Sequence, residues 1–455
     1  MNHSLGKNIA DYLKPGMHAH LVGIGGVSMR PLGLVLRSQG LNISGSDMNS
    51  SVSTDELISK GITVHIGHAA KNIEGADCLI RTAAAHNDNP EIAAARAAGI
   101  PVFERAEAWG IIMRNYPNAI CVSGTHGKTT TTSMVTQIFM EAKKDPTVMI
   151  GGTLPMIHAS HRVGEGDTII LESCEYCNSF LNFYPTVALI LNIEADHLDF
   201  FKDLSDIQAS FRKFAQLVPE NGRIIANGDD ANTAAALAGM NYLTFGIDSG
   251  NDVHGEAYSD DWRRFDVICD GKVYAHIQLS VFGRHNAMNA LAASAAAYHA
   301  GISGDVVERA LASFTGAGRR MEFKGNYNGA DVYDDYAHHP GELHALLAAA
   351  KSMGYERVVC AFQPHTYTRT NALFDDFVRE LKQVDLPILT DIYAARERNL
   401  IGISSKQIAD QIEGAVYCPT LQDVAAYLRE HARSGDLILT VGAGDIYKAG
   451  DMLFR

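Results

Sequence analysis

Long apolar runs are missing from this chain of 455 residues, and so is any excess of basic charge. The longest apolar stretches, such as VALILNI (187–193), are the length of a strand and far short of a membrane span. The opening MNHSLGKNIADYLKPG lacks an apolar core, so no signal peptide is expected. Lysine and arginine number 38 against 52 aspartates and glutamates, a formal net charge of −14, which argues against a non-specific nucleic-acid or acidic-membrane binder. An anionic small substrate is still allowed, because glycine loops and helix starts hold phosphate locally. Cysteine is also sparse: seven residues, too scattered for a disulfide framework. Cys174 and Cys177 form one C-x-x-C without a second pair, so a four-sulfur zinc site is unsupported. Low-complexity tracts and short repeats are absent. What remains is the profile of a cytoplasmic, reducing-compartment enzyme, long enough for two to four domains.

Strand-like and helix-like segments alternate along the chain. HAHLVGIGG (18–26) precedes a helical 27–40, and NISGSD, TVHIG and DCLIRT continue the rhythm. It restarts at NAICVSGTHGKTTTTSMVTQIFMEA (118–142), and again after GAGRRMEF (316–323). These restarts predict three α/β domains with parallel sheets, near 1–114, 115–321 and 322–455.

SGTHGKTTTT (123–132) follows an apolar strand and opens a helix, the setting of a phosphate-binding loop. Gly124 and Gly127 let backbone N–H groups approach phosphate oxygens at the positive end of the helix. Lys128 supplies a point charge for the β- and γ-phosphates, and the Thr129 hydroxyl suits Mg²⁺. Val122 stands where the strict pattern has its first glycine. Two later strand ends add ligands: Glu172 after TIIL, and Glu194, Asp196, His197 and Asp199 in NIEADHLD. Carboxylates beyond the carboxyl ends of parallel strands are placed to hold a cation between phosphate and a second substrate.

GTHGKTTTT, ILESCEY, NIEADHLD, GRHNAMNAL (283–291), GRRME (318–322), DDYAHHP (334–340), FQPHTYTRT (362–370), YAARE (393–397) and GAGDI (442–446) together resemble the Mur ligases, in family order over nearly the whole chain. The resemblance implies a Rossmann-like N-terminal domain for the UDP-sugar, a central P-loop ATPase domain and a Rossmann-like C-terminal domain with amino-acid contacts, and ATP-dependent amide-bond formation in peptidoglycan precursor synthesis. It points to the member that joins L-alanine to UDP-N-acetylmuramate through an acyl phosphate, with ATP as co-substrate, Mg²⁺ as one ion or two, and no obligate protein partner. By carry-over, Gly124, Thr125, His126, Gly127, Lys128, Thr129 and Thr130 hold the ATP phosphates. His285 and Asn289 lie near its adenine or ribose, and Arg320 and Asp335 close over it. Thr129, Glu172 and His197 are the implied metal ligands, with Lys128, Glu172 and His197 central to catalysis. Gly25, Gly26, Ser46, Asp47, Thr82, Ala83, Asn178 and Ser179 are implied for the UDP-sugar. Arg369 is implied for the alanine carboxylate, with Tyr336, His339, His365 and Arg396 beside it.

The chain departs from the family pattern where many members carry a carbamoylated lysine. Here SFRKFA (210–215) offers Lys213 only after a register shift, and the alanine-adding member is expected to lack that lysine. Cysteines also surround Glu172, raising a question of local redox sensitivity. Rival readings remain. One is the recycling ligase that attaches an L-alanyl peptide to the same UDP-sugar. A second, from GIGGVS (23–28) with Asp47, is an NAD-dependent dehydrogenase, although Ser28 replaces the third glycine of the fingerprint. A non-catalytic ATP-binding regulator is disfavoured because the implied catalytic positions are filled.

Overall fold

A computed structural model describes residues 8–82, 84–198, 200–395 and 397–454. The fold is α/β, and its packing divides into two compact units: 1–246 with 251–253 and 292–302, and 247–250 with 254–291 and 303–455.

The first unit holds two sheets. The N-terminal one contains β1 (His18–Val22), β2 (Asn42–Asp47), β3 (Thr63–Ile66), β4 (Cys78–Arg81) and β5 (Val102–Glu104), in the order β3-β2-β1-β4-β5. Every pairing is parallel, as the alternating rhythm predicts. The crossovers include α1 (Met29–Ser38), α2 (Val52–Ser59) and α3 (Pro90–Ala97), and α4 (Arg105–Met113) follows β5. Leu21, Leu32, Leu36, Leu57 and Ile80 bury their side chains between helices and sheet. Strand order reverses between β1 and β4, and the glycine turn 23–26 leaves β1 at that switch point.

The second sheet contains β6 (Asn118–Ser123), β7 (Thr147–Leu154), β8 (Ala159–Arg162), β9 (Thr168–Glu172), β10 (Val187–Ile190), β11 (Arg223–Asn227) and β12 (Leu243–Gly246). Within this unit they run β12-β11-β10-β6-β9-β7-β8. Strand β6 is flanked by β9 and β10, both parallel to it, with Val122 beside Glu172 and Ser123 beside Ile190. The phosphate loop, the Glu172 strand end and the 191–198 segment therefore leave the sheet side by side. Helix α5 (Lys128–Glu141) follows the loop. The β7–β8 pair is antiparallel, and a strand-by-helix reading of the sequence does not anticipate it.

In the second unit an antiparallel hairpin joins Arg264–Cys269 to Lys272–Gln278. The C-terminal sheet orders its strands as Glu322–Tyr327, Ala330–Asp335, Asp436–Val441, Arg357–Phe362, Leu386–Leu389 and Val416–Tyr417, parallel except for the first pair. Asp335 and Phe362 both register with Val441, so the loops after these strands emerge at one edge. Among the described residues, no helix is long and apolar enough to cross a membrane.

Candidate active site

The loop between β6 and α5 is shaped by two glycines in conformations that a side chain resists. Gly124 has φ 144° and Gly127, the N-cap of α5, has φ 82°. Neighbouring backbone braces the loop. Thr125 N–H donates to the Asn192 carbonyl (3.0 Å), His126 N–H donates to Asn192 Oδ1 (2.8 Å), and Glu194 N–H donates to Thr125 Oγ1 (2.8 Å). His126 Nε2 lies 3.2 Å from Glu194 Oε2. The NIEADH segment thus holds the loop open as well as carrying His197.

Lys128 Nζ donates to the carbonyls of Gly124 (2.5 Å) and Thr125 (3.0 Å) and pairs with Glu175 Oε2 at 3.0 Å. Burial alone would lower its pKa, but Glu175 together with Cys174 and Glu172 outweighs burial and the net shift is upward, so the amine is charged. Glu175 is itself buried, with 2% of its surface exposed, and was not among the sequence candidates for the site. Its only signal is a second carboxylate three residues after Glu172. Thr129 Oγ1 donates to Glu172 Oε1 (3.0 Å), and Gly151 N–H donates to Glu172 Oε2 (2.6 Å). His197, at φ 53°, places Nε2 3.8 Å from both Glu175 Oε1 and Asp196 Oδ2, with its ring 4.7 Å from that of Tyr176. Thr130 is buried in the first turn of α5. The Thr129 hydroxyl and Glu172 carboxylate beside a phosphate loop are hard oxygen donors that fit Mg²⁺, and the His197 imidazole lies against the neighbouring Glu175.

Around the N-terminal glycine turn, Gly25 N–H donates to Asp47 Oδ2 at 2.9 Å, and Gly26 N–H to the Gly23 carbonyl at 3.1 Å. Thr82 packs against Gly23, where an added Cβ would come 2.7 Å from Thr82 Cγ2. Ser46 sits differently from a surface ligand. Its side chain is fully buried and its hydroxyl donates to Glu91 Oε2 (2.5 Å) within a cluster that includes His20, Ser44, His68 and Asn72. Asn178 accepts from the Ser210 hydroxyl, and Ser179 Oγ donates to the Tyr176 carbonyl (2.8 Å). Ala83 and Asp199 lie outside the described residues.

In ESCEYC, Cys174 is half-buried and Cys177 exposed. Burial and the adjacent Glu175 push the Cys174 thiol up to about 12, the opposite of a reactive cysteine. Lys213 is exposed on the Leu204–Ala215 helix, while Arg212 is tied to the Ala236 and Ala238 carbonyls, both at 2.9 Å.

In the second unit, His285 opens the Arg284–His299 helix. Burial first, then Arg320, lowers its pKa to about 4, so it is neutral near pH 7. Asn289 is buried one turn later and donates to Asn286 Oδ1 (3.4 Å). Asp335 accepts from Met321 N–H (2.7 Å) and Ala337 N–H (2.8 Å), and burial raises its pKa to about 6 against the pull of Arg320. Two adjacent arginines divide their tasks. Arg319 is structural, pairing with Asp334 (2.8 Å) and donating to the carbonyls of Gly442 and Gly444. Arg320 lies over the Tyr336 ring at 5.2 Å and 3.9 Å from Glu342. Arg369 Nη1 lies 3.2 Å from His365 Nδ1, and His365 stacks on Tyr393 (5.8 Å) and meets the edge of His338 (5.8 Å). His339 instead caps the Pro340–Ser352 helix. Tyr393 and His338 join this group although the sequence did not single them out; Arg396 lies outside the described residues.

Sequence profiles match three consecutive parts of the chain: the Mur ligase family catalytic domain over residues 18–117, the middle domain over 122–297, and the Mur ligase glutamate ligase domain over 319–444. Proteins named UDP-N-acetylmuramate–L-alanine ligase from Acetivibrio thermocellus and Agathobacter rectalis are each 46% identical to it. The first alignment covers 96% of both chains; the second covers 98% of this chain and 99% of the relative. Among solved structures, a UDP-N-acetylmuramate-alanine ligase from Thermotoga maritima superposes with a TM-score of 0.82 at 29% identity, covering 96% of this chain and 98% of its own. A murein peptide ligase from Psychrobacter arcticus gives 0.72 at 26% identity with the same coverage. The three-domain α/β architecture agrees with these neighbours. Profiles and relatives span the molecule in one order, and the chain belongs to the Mur ligase family.

Proposed function

We propose that this protein ligates L-alanine to UDP-N-acetylmuramate at the expense of ATP, in the cytoplasm, as a step of peptidoglycan precursor synthesis. The observation that carries the reading is the Thr129–Glu172 pair beside Lys128 at the mouth of a glycine-braced loop. A free carboxylate is a poor electrophile. Transfer of the γ-phosphoryl group to it releases ADP and leaves an acyl phosphate. The alanine amine attacks that carbonyl, and the tetrahedral adduct collapses with loss of phosphate and of the amine proton. The transferred phosphoryl group and the acceptor carboxylate are both anionic, so positioning and charge neutralisation dominate the catalysis.

Lys128 and the loop N–H groups bear on the phosphates. Thr129, Glu172 and His197 would hold Mg²⁺, which would supply neutralisation of the reacting negative charge. Gly25, Gly26, Asp47, Thr82, Asn178 and Ser179 serve the UDP-sugar; Ser46 contributes through its backbone carbonyl, which accepts from Gly23 and Ile24 N–H (2.8 and 2.9 Å). His285, Asn289, Arg320 and Asp335 serve ATP, and Arg369 with Tyr336, His339 and His365 serves the amino acid. Domain limits at 1–114, 115–321 and 322–455 belong to the same proposal.

The test is phosphate release with UDP-N-acetylmuramate, ATP and a panel of amino acids and L-alanyl peptides. L-Alanine should give the highest kcat/KM. Preference for an L-alanyl tripeptide would assign the recycling reaction instead, and substrate-dependent change in nicotinamide absorbance would assign a dehydrogenase.

A further inference from the structure

Beside the N-terminal glycine turn lies a charged group that none of these assignments uses. Arg105 opens α4, and its Nη1 donates to the hydroxyl of Ser28, just past the turn. Burial lowers its pKa, with only the fields of Cys174 and Glu104 opposing. Among the described residues no carboxylate lies within ion-pair distance of it. Glu104 is taken by Arg81, whose Nε is 2.7 Å from Oε1, and Glu107 is turned back to the Glu104 N–H (2.7 Å). A half-buried guanidinium without a counter-charge is unfavourable, and that cost falls when an oxyanion enters beside it.

The surroundings say where such an oxyanion belongs. Ser28 Oγ also reaches Met149 Sδ on β7 (3.3 Å), two residues before the Gly151 N–H that grips Glu172. Cys174, which shares the field of Arg105, follows Glu172 by two residues. Arg105 therefore stands between the glycine turn of the first sheet and the metal-side carboxylate of the second.

We infer that Arg105 is a substrate-binding residue that takes an oxyanion of the sugar nucleotide on its path from the glycine turn to Glu172. This rests on the UDP-N-acetylmuramate reading given above. That substrate offers two sources of oxyanion, its diphosphate and its carboxylate, and a guanidinium fork matches either bidentately.

The test is calorimetric binding to the wild type, Arg105→Met and Arg105→Lys. The ligands are UDP-N-acetylmuramate, UDP-N-acetylglucosamine (diphosphate without carboxylate), N-acetylmuramate (carboxylate without diphosphate) and ATP. Arg105→Met should lose about tenfold or more in affinity for UDP-N-acetylmuramate, the scale of a charge-assisted contact. Arg105→Lys should lose less, ATP affinity should hold, and the ligand-free melting temperature should hold or rise. A matching loss for UDP-N-acetylglucosamine identifies the diphosphate; a loss confined to the carboxylate-bearing ligands identifies the carboxylate. Unchanged UDP-N-acetylmuramate affinity in folded Arg105→Met overturns the inference while leaving the proposed reaction standing. If the wild type itself binds no UDP-N-acetylmuramate, both fall. Should Arg105→Met not fold, Arg105→Lys decides: a raised KM for the sugar nucleotide with unchanged KM for ATP supports the assignment, and an unchanged KM for both overturns it.

Discussion

Lys128 illustrates how one side chain carries two obligations. Its amine serves the phosphates in the proposed reaction, yet here it neutralises buried Glu175. Lys128→Ala should therefore abolish phosphate release and also lower stability by about 3–5 kcal/mol, the usual cost of orphaning a buried charge. Adding Glu175→Gln should recover most of the melting temperature without any activity. Thermal scans and turnover of the two single variants and the double variant check this, and a double variant as unstable as Lys128→Ala would refute the pairing. Glu172→Ala should also abolish turnover. Glu91 gives a pH prediction at the same scale. Burial opposes its charge, but His20, with Nε2 3.7 Å away, and hydrogen bonds from Ser46 and Asn72 win and lower its pKa to about 2. A depressed carboxylate contributes stability that is present above its unfolded pKa, near 4.5, and lost as pH falls towards 2. Glu91→Gln should flatten the acid limb of a stability–pH curve in that window, at roughly 1.4 kcal/mol per pH unit at most. An unchanged limb would remove Glu91 from the account.

At the scale of elements, the site depends on three neighbouring strand ends. Strands β9, β6 and β10 are parallel neighbours, so Glu172, the phosphate loop and the His197 segment converge without long linkers. Strand β7 adds a backbone donor: a Cβ on Gly151 would come 2.5 Å from Glu172 Oε1. Gly151→Ala should displace that carboxylate and reduce kcat by about tenfold or more, with the melting temperature nearly kept. Turnover within twofold of wild type would show that the carboxylate tolerates the shift. Lys128, Thr129, Glu172 and His197 stand out as candidates in the sequence because each follows a strand in a recognisable motif. Gly151 does not, because a backbone N–H leaves no mark in the residue pattern. Ser46 marks another limit. Its alternation in NISGSD does not reveal that a buried glutamate on α3 captures its hydroxyl.

For the whole molecule, the proposed donor set of Thr129, Glu172 and His197 predicts a metal-dependent reaction. Chelation should abolish phosphate release, and Mg²⁺ should restore it better than Ca²⁺, whose longer bonds and larger coordination number suit this compact set poorly. Chelator-insensitive turnover would remove the metal from the proposal. The chain by itself determined the parallel α/β class, the phosphate loop and the order of motifs. These depend on local periodicity and on glycines at turns, which neighbouring residues encode. Only tertiary structure decided which charges meet. Lys128 finds Glu175 47 positions along, Arg105 finds Ser28 77 positions back, and Arg369 beside His365 joins Tyr393 across a parallel bridge. Such pairings follow from strand order and register, and a charged side chain looks the same in sequence whether its partner is a neighbouring carboxylate, water or an incoming substrate.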